Sequence, residues 1–229
     1  MNGADDRPWF HAALRLLDLR ANDRVLAIGC SADELRAIAN SVGRRGTVTA
    51  AGADAQRAKA LAMDAPQHVE VFAHSVSGSE RYGAFDALFV TAPWGPLLDN
   101  ARYAELAKHN LRPGGRCVLD LPGLEMVPEL GLALTSVSCP RERLAPLRGV
   151  GDDVLADALR DAGLRSVRGV LGSHLIRPPS PADLVERFAA PLGLSAPECT
   201  DLARTLVQRA ATTGPFDVLV HRTRVQALR

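Results

Sequence analysis

The chain lacks most of the features by which a sequence of this size declares its chemistry. Its four cysteines, Cys30, Cys117, Cys139 and Cys199, are far apart, with no C-x-x-C pair and no histidine at ligand spacing. That pattern excludes the usual zinc sites and a disulfide framework, and reduced thiols are expected. Charge of one sign is missing too: 27 basic residues face 26 acidic ones, scattered along the chain, so no nucleic-acid footprint stands out. No apolar stretch approaches the roughly 18 residues that a membrane-spanning helix needs. The first seven residues carry acids where a secretory leader would carry bases, which makes a cytoplasmic protein the expectation. Lysine is almost absent, with Lys59 and Lys108 the only two, and internal repeats and low-complexity tracts are missing.

What is present is the composition of a globular protein, 47% apolar and 23% charged over 229 residues, and one domain is expected. Phe10, Ala13, Leu14 and Leu17 place a helix over 9–19, and RVLAIGC, 24–30, reads as a buried strand. Ser31 to Val42 has helical spacing through Leu35, Ile38, Ala39 and Val42, with Ser31 as N-cap and Glu34 completing a capping box. Strands are expected at 47–51, 69–73, 85–91, 116–121, 166–171 and 216–220, with helices at 55–63, 101–110 and 152–162 and a Pro-Gly-Gly turn at 113–115. Strands alternating with helices require right-handed crossovers and a parallel sheet covered on both faces.

Two segments are longer than such connections need. These are 123–150 and 177–214, the second with helical patterns at 181–188 and 196–211. Both are expected to follow carboxyl ends of strands, the edge where open α/β sheets bind ligands. They are candidates for a lid or a substrate-selecting cap on a core of 9–122, 152–173 and 215–224.

From Leu16 to Pro122 the order LLDLRANDRVLAIGC, GRRGTVTAAGADAQRAKALA, VEVFAHSV, FDALFVTAP and LRPGGRCVLDLP resembles the class I methyltransferases that use S-adenosylmethionine, in particular the ubiquinone and menaquinone type. DALRDAGLRSV is similar to that family's last helix and strand. The resemblance implies a Rossmann-like seven-stranded α/β sheet, mostly parallel with an antiparallel last strand, here with a helical cap insertion. It also implies a cofactor cleft lined by Gly29, Ser31, Gly52, Asp54, Ser75 and Thr91, with Trp94 and His174 nearer a small-molecule acceptor.

The family's glycine turn after strand one lets backbone approach the cofactor closely and offers helix N–H groups to its carboxylate. Of that turn this chain keeps Gly29, while Ser31 and Asp33 occupy the other glycine positions and Ala27 replaces the acid before the turn. Gly52 stands where the ribose-binding acid is expected, with Asp54 two residues on, and His74 or Ser75 where an acid meets the adenine. His74 and His174 are the candidates for a general base. Asp86 reads as structural, Cys30 as packing, and Arg177 beside His174 as part of a solvated loop, the alternative being a contact for an acidic or phenolic acceptor. Two activities stay open: methyl transfer from S-adenosylmethionine to a small molecule, or a pseudoenzyme that keeps the fold without the cofactor and serves a protein partner or another ligand.

Overall fold

Ile28 is flanked by Ala51 on one side and Val90 on the other, and all three side chains are fully buried. Such a strand cannot face water on either side, and its neighbours run parallel to it. In the computed structural model, which describes residues 8–52, 59, 63, 69–72, 74–92, 98–137, 139–213 and 217–229, this is the centre of a seven-stranded sheet. The strands are β1 (Arg24–Ile28), β2 (Thr47–Ala51), β3 (Val69–Phe72), β4 (Phe85–Thr91), β5 (Leu111–Pro122), β6 (Arg165–Ile176) and β7 (Val218–Leu228). Their order is β3-β2-β1-β4-β5-β7-β6. β1 to β5 pair in parallel, and β7 runs antiparallel to both β5 and β6.

Alternate residues of each central strand feed opposite layers. Leu26, Ile28, Leu88 and Val90 pack under α3 (Asn100–Asn110) and α5 (Asp152–Asp161). Val25, Ala27, Ala87 and Phe89 pack under α1 (Pro8–Leu17) and α2 (Ala32–Val42). α1 buries Phe10, Ala13 and Leu17 at helical spacing. α3 starts at Asp99, whose carboxylate accepts the Arg102 N–H at 2.8 Å.

The insertions build a third layer. After β5 come α4 (Pro128–Ser136) and a 3-10 turn (Arg141–Leu147), and between β6 and β7 come α6 (Pro181–Leu192) and α7 (Ala196–Thr213). Leu130, Leu134, Leu184, Phe188, Leu202 and Leu206 form their common core, joined by Trp9 of α1. Arg143 fastens the turn to α6 and α7 by donating to the Leu192 carbonyl at 3.1 Å and to the Glu198 carboxylate at 2.6 Å. That guanidinium, with the Ser195 donors behind it, holds the Glu198 carboxyl down at about 2. No helix among the described residues is long and apolar enough to cross a membrane.

Several boundaries differ from the sequence reading. β5 starts at Leu111, not 116, because Leu111 pairs with Phe85 and the Pro-Gly-Gly run is an irregularity inside the strand, held by Gly114 and Gly115 against Arg229. β6 continues to Ile176, so His174 lies within it rather than beyond it. β7 is Val218–Leu228, not 216–220. The polar run His221–Arg224 looks like the end of a strand, yet Arg222 and Arg224 face inward and are buried. Of the helix expected over 55–63 only Lys59 and Met63 are described, both helical.

The inward arginines explain the register of β5 on β7. Asp120, fully buried, accepts from Arg222 at 3.2 Å and from Arg224 at 3.2 Å. Removing one member of such a buried set strands the other charges, at a typical cost of about 3 to 5 kcal/mol. Asp120→Asn is therefore expected to lower unfolding stability by about 3 kcal/mol, read as a fall in the urea midpoint at neutral pH; an unchanged midpoint would show the carboxylate charge to be dispensable.

Candidate functional site

The ends of β1, β2 and β4 make one row. Gly29, Gly52 and Thr91 each follow the mutually paired residues Ile28, Ala51 and Val90, and with strands about 4.8 Å apart the row is about 10 Å wide. Here the strand order reverses direction, since β2 lies on one side of β1 and β4 on the other. Such switch points leave a crevice at the carboxyl edge of the sheet. Gly29 has φ 75°, a region that side-chain-bearing residues rarely adopt, and its N–H is bound to the Ala51 carbonyl at 3.1 Å. Gly52 and Thr91 are buried.

The capping box read from the sequence is present. Ser31 Oγ accepts from the Glu34 N–H at 3.3 Å, and the Ser31 N–H donates to Glu34 Oε2 at 2.7 Å. Glu34 is only 5% exposed, so a carboxylate already sits at the α2 N-terminus, where the helix dipole favours an anion. Among the described residues the amides of Ala32 and Asp33 carry no such cap. Asp33 pairs with Arg36 and is exposed.

After β3, His74 and Ser75 are both exposed. His74 Nε2 lies 3.0 Å from the Tyr82 hydroxyl, with the rings stacked at 5.6 Å. Burial, with Glu80 nearby, pushes the Tyr82 phenol up to about 12, so it stays protonated and His74 is engaged by a neutral partner. Tyr82 is itself tied down, because its N–H donates to Asn110 Oδ1 at 2.6 Å.

His174 is set apart from the row but linked to it. Arg222 donates to Ala92 O at 2.8 Å, approaches Thr91 Oγ1 at 3.5 Å and lies 5.5 Å over the Trp9 ring. Asp120 joins Arg222 to Arg224, which donates to Trp9 O at 3.2 Å and lies 3.4 Å from His174 Nε2. His174 also meets Trp9 edge-on at 6.2 Å. Its pKa is lowered by burial and by Arg224, with Asp120 opposing and Arg222 adding, so the ring is neutral at pH 7. Arg177, expected to act with His174, instead forms a two-point pair with Asp217 at 2.6 and 2.8 Å.

Gly29, Gly52 and Thr91 are thus brought to one row of strand ends, with Ser31 capping α2 just beyond Gly29; His74 and Ser75 stand after β3, and His174 is at the far end of the Asp120 chain. Asp54 and Trp94 lie outside the described residues. Asp86 accepts the Arg24 N–H at 2.7 Å and pairs with Arg112, and Cys30 is buried. Sequence reasoning missed Trp9, Asn110, Asp120, Arg222 and Arg224. The available signal was a lone acid in the apolar run CVLDL and the period-two arginines of HRTR.

No protein-family model matches the chain, and no curated protein matches its sequence. Solved structures do match. The YcgJ protein of Bacillus subtilis superposes with a TM-score of 0.65 at 14% identity, over 96% of this chain and 97% of that one. A SAM-dependent methyltransferase of Aquifex aeolicus gives 0.54 at 14%, over 96% and 88%. A cyclopropane-fatty-acyl-phospholipid synthase-like protein of Lactobacillus casei gives 0.58 at 14%, over 96% and 89%.

The depressed pKa of His174 has a signed consequence. The unfolded chain, with an ordinary value near 6.5, binds this proton more readily than the native state. Above that pH both states are neutral and nothing is lost; as pH falls through it toward the native value, stability declines. His174→Gln should flatten the drop in urea midpoint between about pH 7 and pH 5, and an NMR titration of the wild-type ring should give a midpoint below 6.5; a midpoint above that value refutes the assignment. At 13–16% identity the likeness is one of architecture, and on it this chain has the fold of the class I S-adenosylmethionine-dependent methyltransferases.

Proposed function

We propose that the chain is a methyltransferase that takes its methyl group from S-adenosylmethionine and passes it to a small molecule. The observation that carries this reading is the row of strand ends: Gly29 in a left-handed turn, Gly52 and Thr91 beside it, and α2 starting three residues after Gly29. The fit is one of backbone and shape. Gly29 gives close approach without a Cβ, and the Ala32 and Asp33 amides are the donors for the cofactor's carboxylate. Gly52, Ser31, Ser75 and Thr91 line the remainder, with His174 toward the acceptor.

The charged anchors are fewer than the family pattern. Ala27, Gly52, His74 and Ser75 supply no carboxylate, and each charge-assisted hydrogen bond is worth about 1.5 to 3 kcal/mol. Binding in the micromolar range or weaker follows. When bound, the cofactor supplies an electrophilic methyl group on sulfur. The chain's own part is alignment, which by itself supplies a large share of catalysis in such displacements. Arg222, through Ala92 O and Asp120, fixes the ends of β4 and β5 where donor and acceptor would meet. His174 would give up the Arg224 contact on taking a proton at Nε2, and the reading assigns no obligatory base.

Calorimetric titration with S-adenosylmethionine and S-adenosylhomocysteine tests the reading, and no heat up to millimolar ligand would sink it in favour of a fold kept for other work. Gly29→Ala is expected to abolish binding while costing about 1 to 2 kcal/mol of stability. Glu34→Gln keeps a hydrogen-bonding side chain but removes the negative charge at the α2 N-terminus, and is expected to tighten S-adenosylhomocysteine binding by about two- to fivefold. Weaker binding in that variant would mean the ligand's carboxylate sits elsewhere.

A further inference from the structure

Beside α4 lies a cavity of about 600 Å³, a size typical of small-molecule sites. One wall is a single face of α4, made by Pro128, Gly131, Leu132 and Thr135. The other is the paired segments 124–127 and 147–149, which hang on the end of β5: Gly149 donates to Gly123 O at 3.0 Å and Val150 to Pro122 O at 3.1 Å. Asp120, two residues before Pro122, pairs with Thr91. The segments that line the cavity therefore leave the sheet one strand away from the end of the row.

Gly131 is the informative residue. It sits in the middle of α4, is not among the positive-φ glycines, and a Cβ there would meet nothing within 4 Å. Neither the backbone nor packing calls for glycine, and the residue weakens a nine-residue helix. What it provides is room in the cavity wall. Thr135 turns its hydroxyl back to Gly131 O at 2.9 Å, so its polar group is already satisfied. Leu124 and Leu132 stand at the cavity 64% and 57% exposed, apolar surface left in water unless something covers it. The charged groups at the lining are Glu125 and Arg148, both exposed, neither in an ion pair among the described residues, and opposite in sign.

We propose that this cavity holds the apolar body of the methyl acceptor and that the acceptor is an uncharged small molecule. The assignment rests on the methyltransferase reading. The space left by Gly131 selects for bulk, the exposed leucines gain by being covered, and the cancelling charges favour neither an anion nor a cation.

The experiment uses the full chain and two fluorescent probes, uncharged Nile red and anionic anilinonaphthalene sulfonate. Nile red is expected to bind with micromolar affinity, and Gly131→Leu, which fills the wall, to weaken it at least tenfold. The same variant should keep or raise the melting temperature, because leucine is the better helix former, and leave S-adenosylhomocysteine titration unchanged. Gly131→Ala, a smaller filler that also favours the helix, should weaken the dye by a lesser factor. Unchanged Nile red affinity in both variants overturns the proposal. So does a tenfold preference for the anionic probe. Light scattering that shows a wild-type dimer converted to a monomer by Gly131→Leu would make the occupant a second copy and overturn it as well. Failure of the wild-type chain to bind S-adenosylhomocysteine, read in a separate titration, removes the reaction and with it the acceptor role.

Discussion

Two arginines closed around one buried carboxylate hold the β5-β7-β6 side of this molecule together. Asp120 on β5 and Arg222 and Arg224 on β7 are all under 10% exposed, a placement tolerated only when nearly every donor and acceptor finds a partner. The partners come from four directions. Arg222 reaches the carbonyls of Ala92 and Asp120, Arg224 reaches the Trp9 carbonyl and His174, and the Trp9 ring lies over Arg222. The cluster thereby sets the antiparallel register of β7, the seat of α1 and the point where β4 ends. Shifting β7 by one residue would turn both arginines to the other face, so the fold of the carboxyl-terminal part and the shape of the crevice are decided by the same contacts.

The β3-β2-β1 side follows a different rule. At the ends of β1 and β3 the polar groups are satisfied within single short loops: Ser31 by Glu34, Ser77 and Gly78 amides by Glu80. A ligand entering this side competes with contacts the chain already makes to itself, and its affinity depends on backbone amides and close approach more than on charged anchors. His174 belongs to the Asp120 side, where Arg224 and Trp9 hold its ring, whereas His74 is exposed and meets Tyr82.

Local signals were legible in the sequence wherever they depended on nearest neighbours. Ser31 and Glu34 three residues apart gave the start of α2, and the apolar runs of β2 and β4 gave those strands residue for residue. The cap helices after Pro181 and Ala196 were equally plain. What could not be read was set by partners far along the chain. Arg222 and Arg224 look like solvent-facing residues until Asp120, about a hundred positions earlier, is seen to receive them. The long β6 has an exposed outer side that dilutes its alternation, and the early start of β5 depends on Phe85. Gly29, Ser31, Gly52 and Thr91 were singled out through family resemblance, whereas Asn110 and Trp9 act through tertiary contacts that no local pattern marks.

Both insertions leave the sheet and return to it at the same rim, one between Pro122 and Asp152, the other between Ile176 and Val218. The strand ladder is closed beneath them by β5, β7 and β6. Descendants of such a chain can therefore change the exposed faces of the cap, away from Trp9 and β7, without disturbing the register of the sheet. A change in what is recognised and the persistence of the architecture are separable under selection, which is how one scaffold can diversify while its sequence drifts beyond the reach of direct comparison.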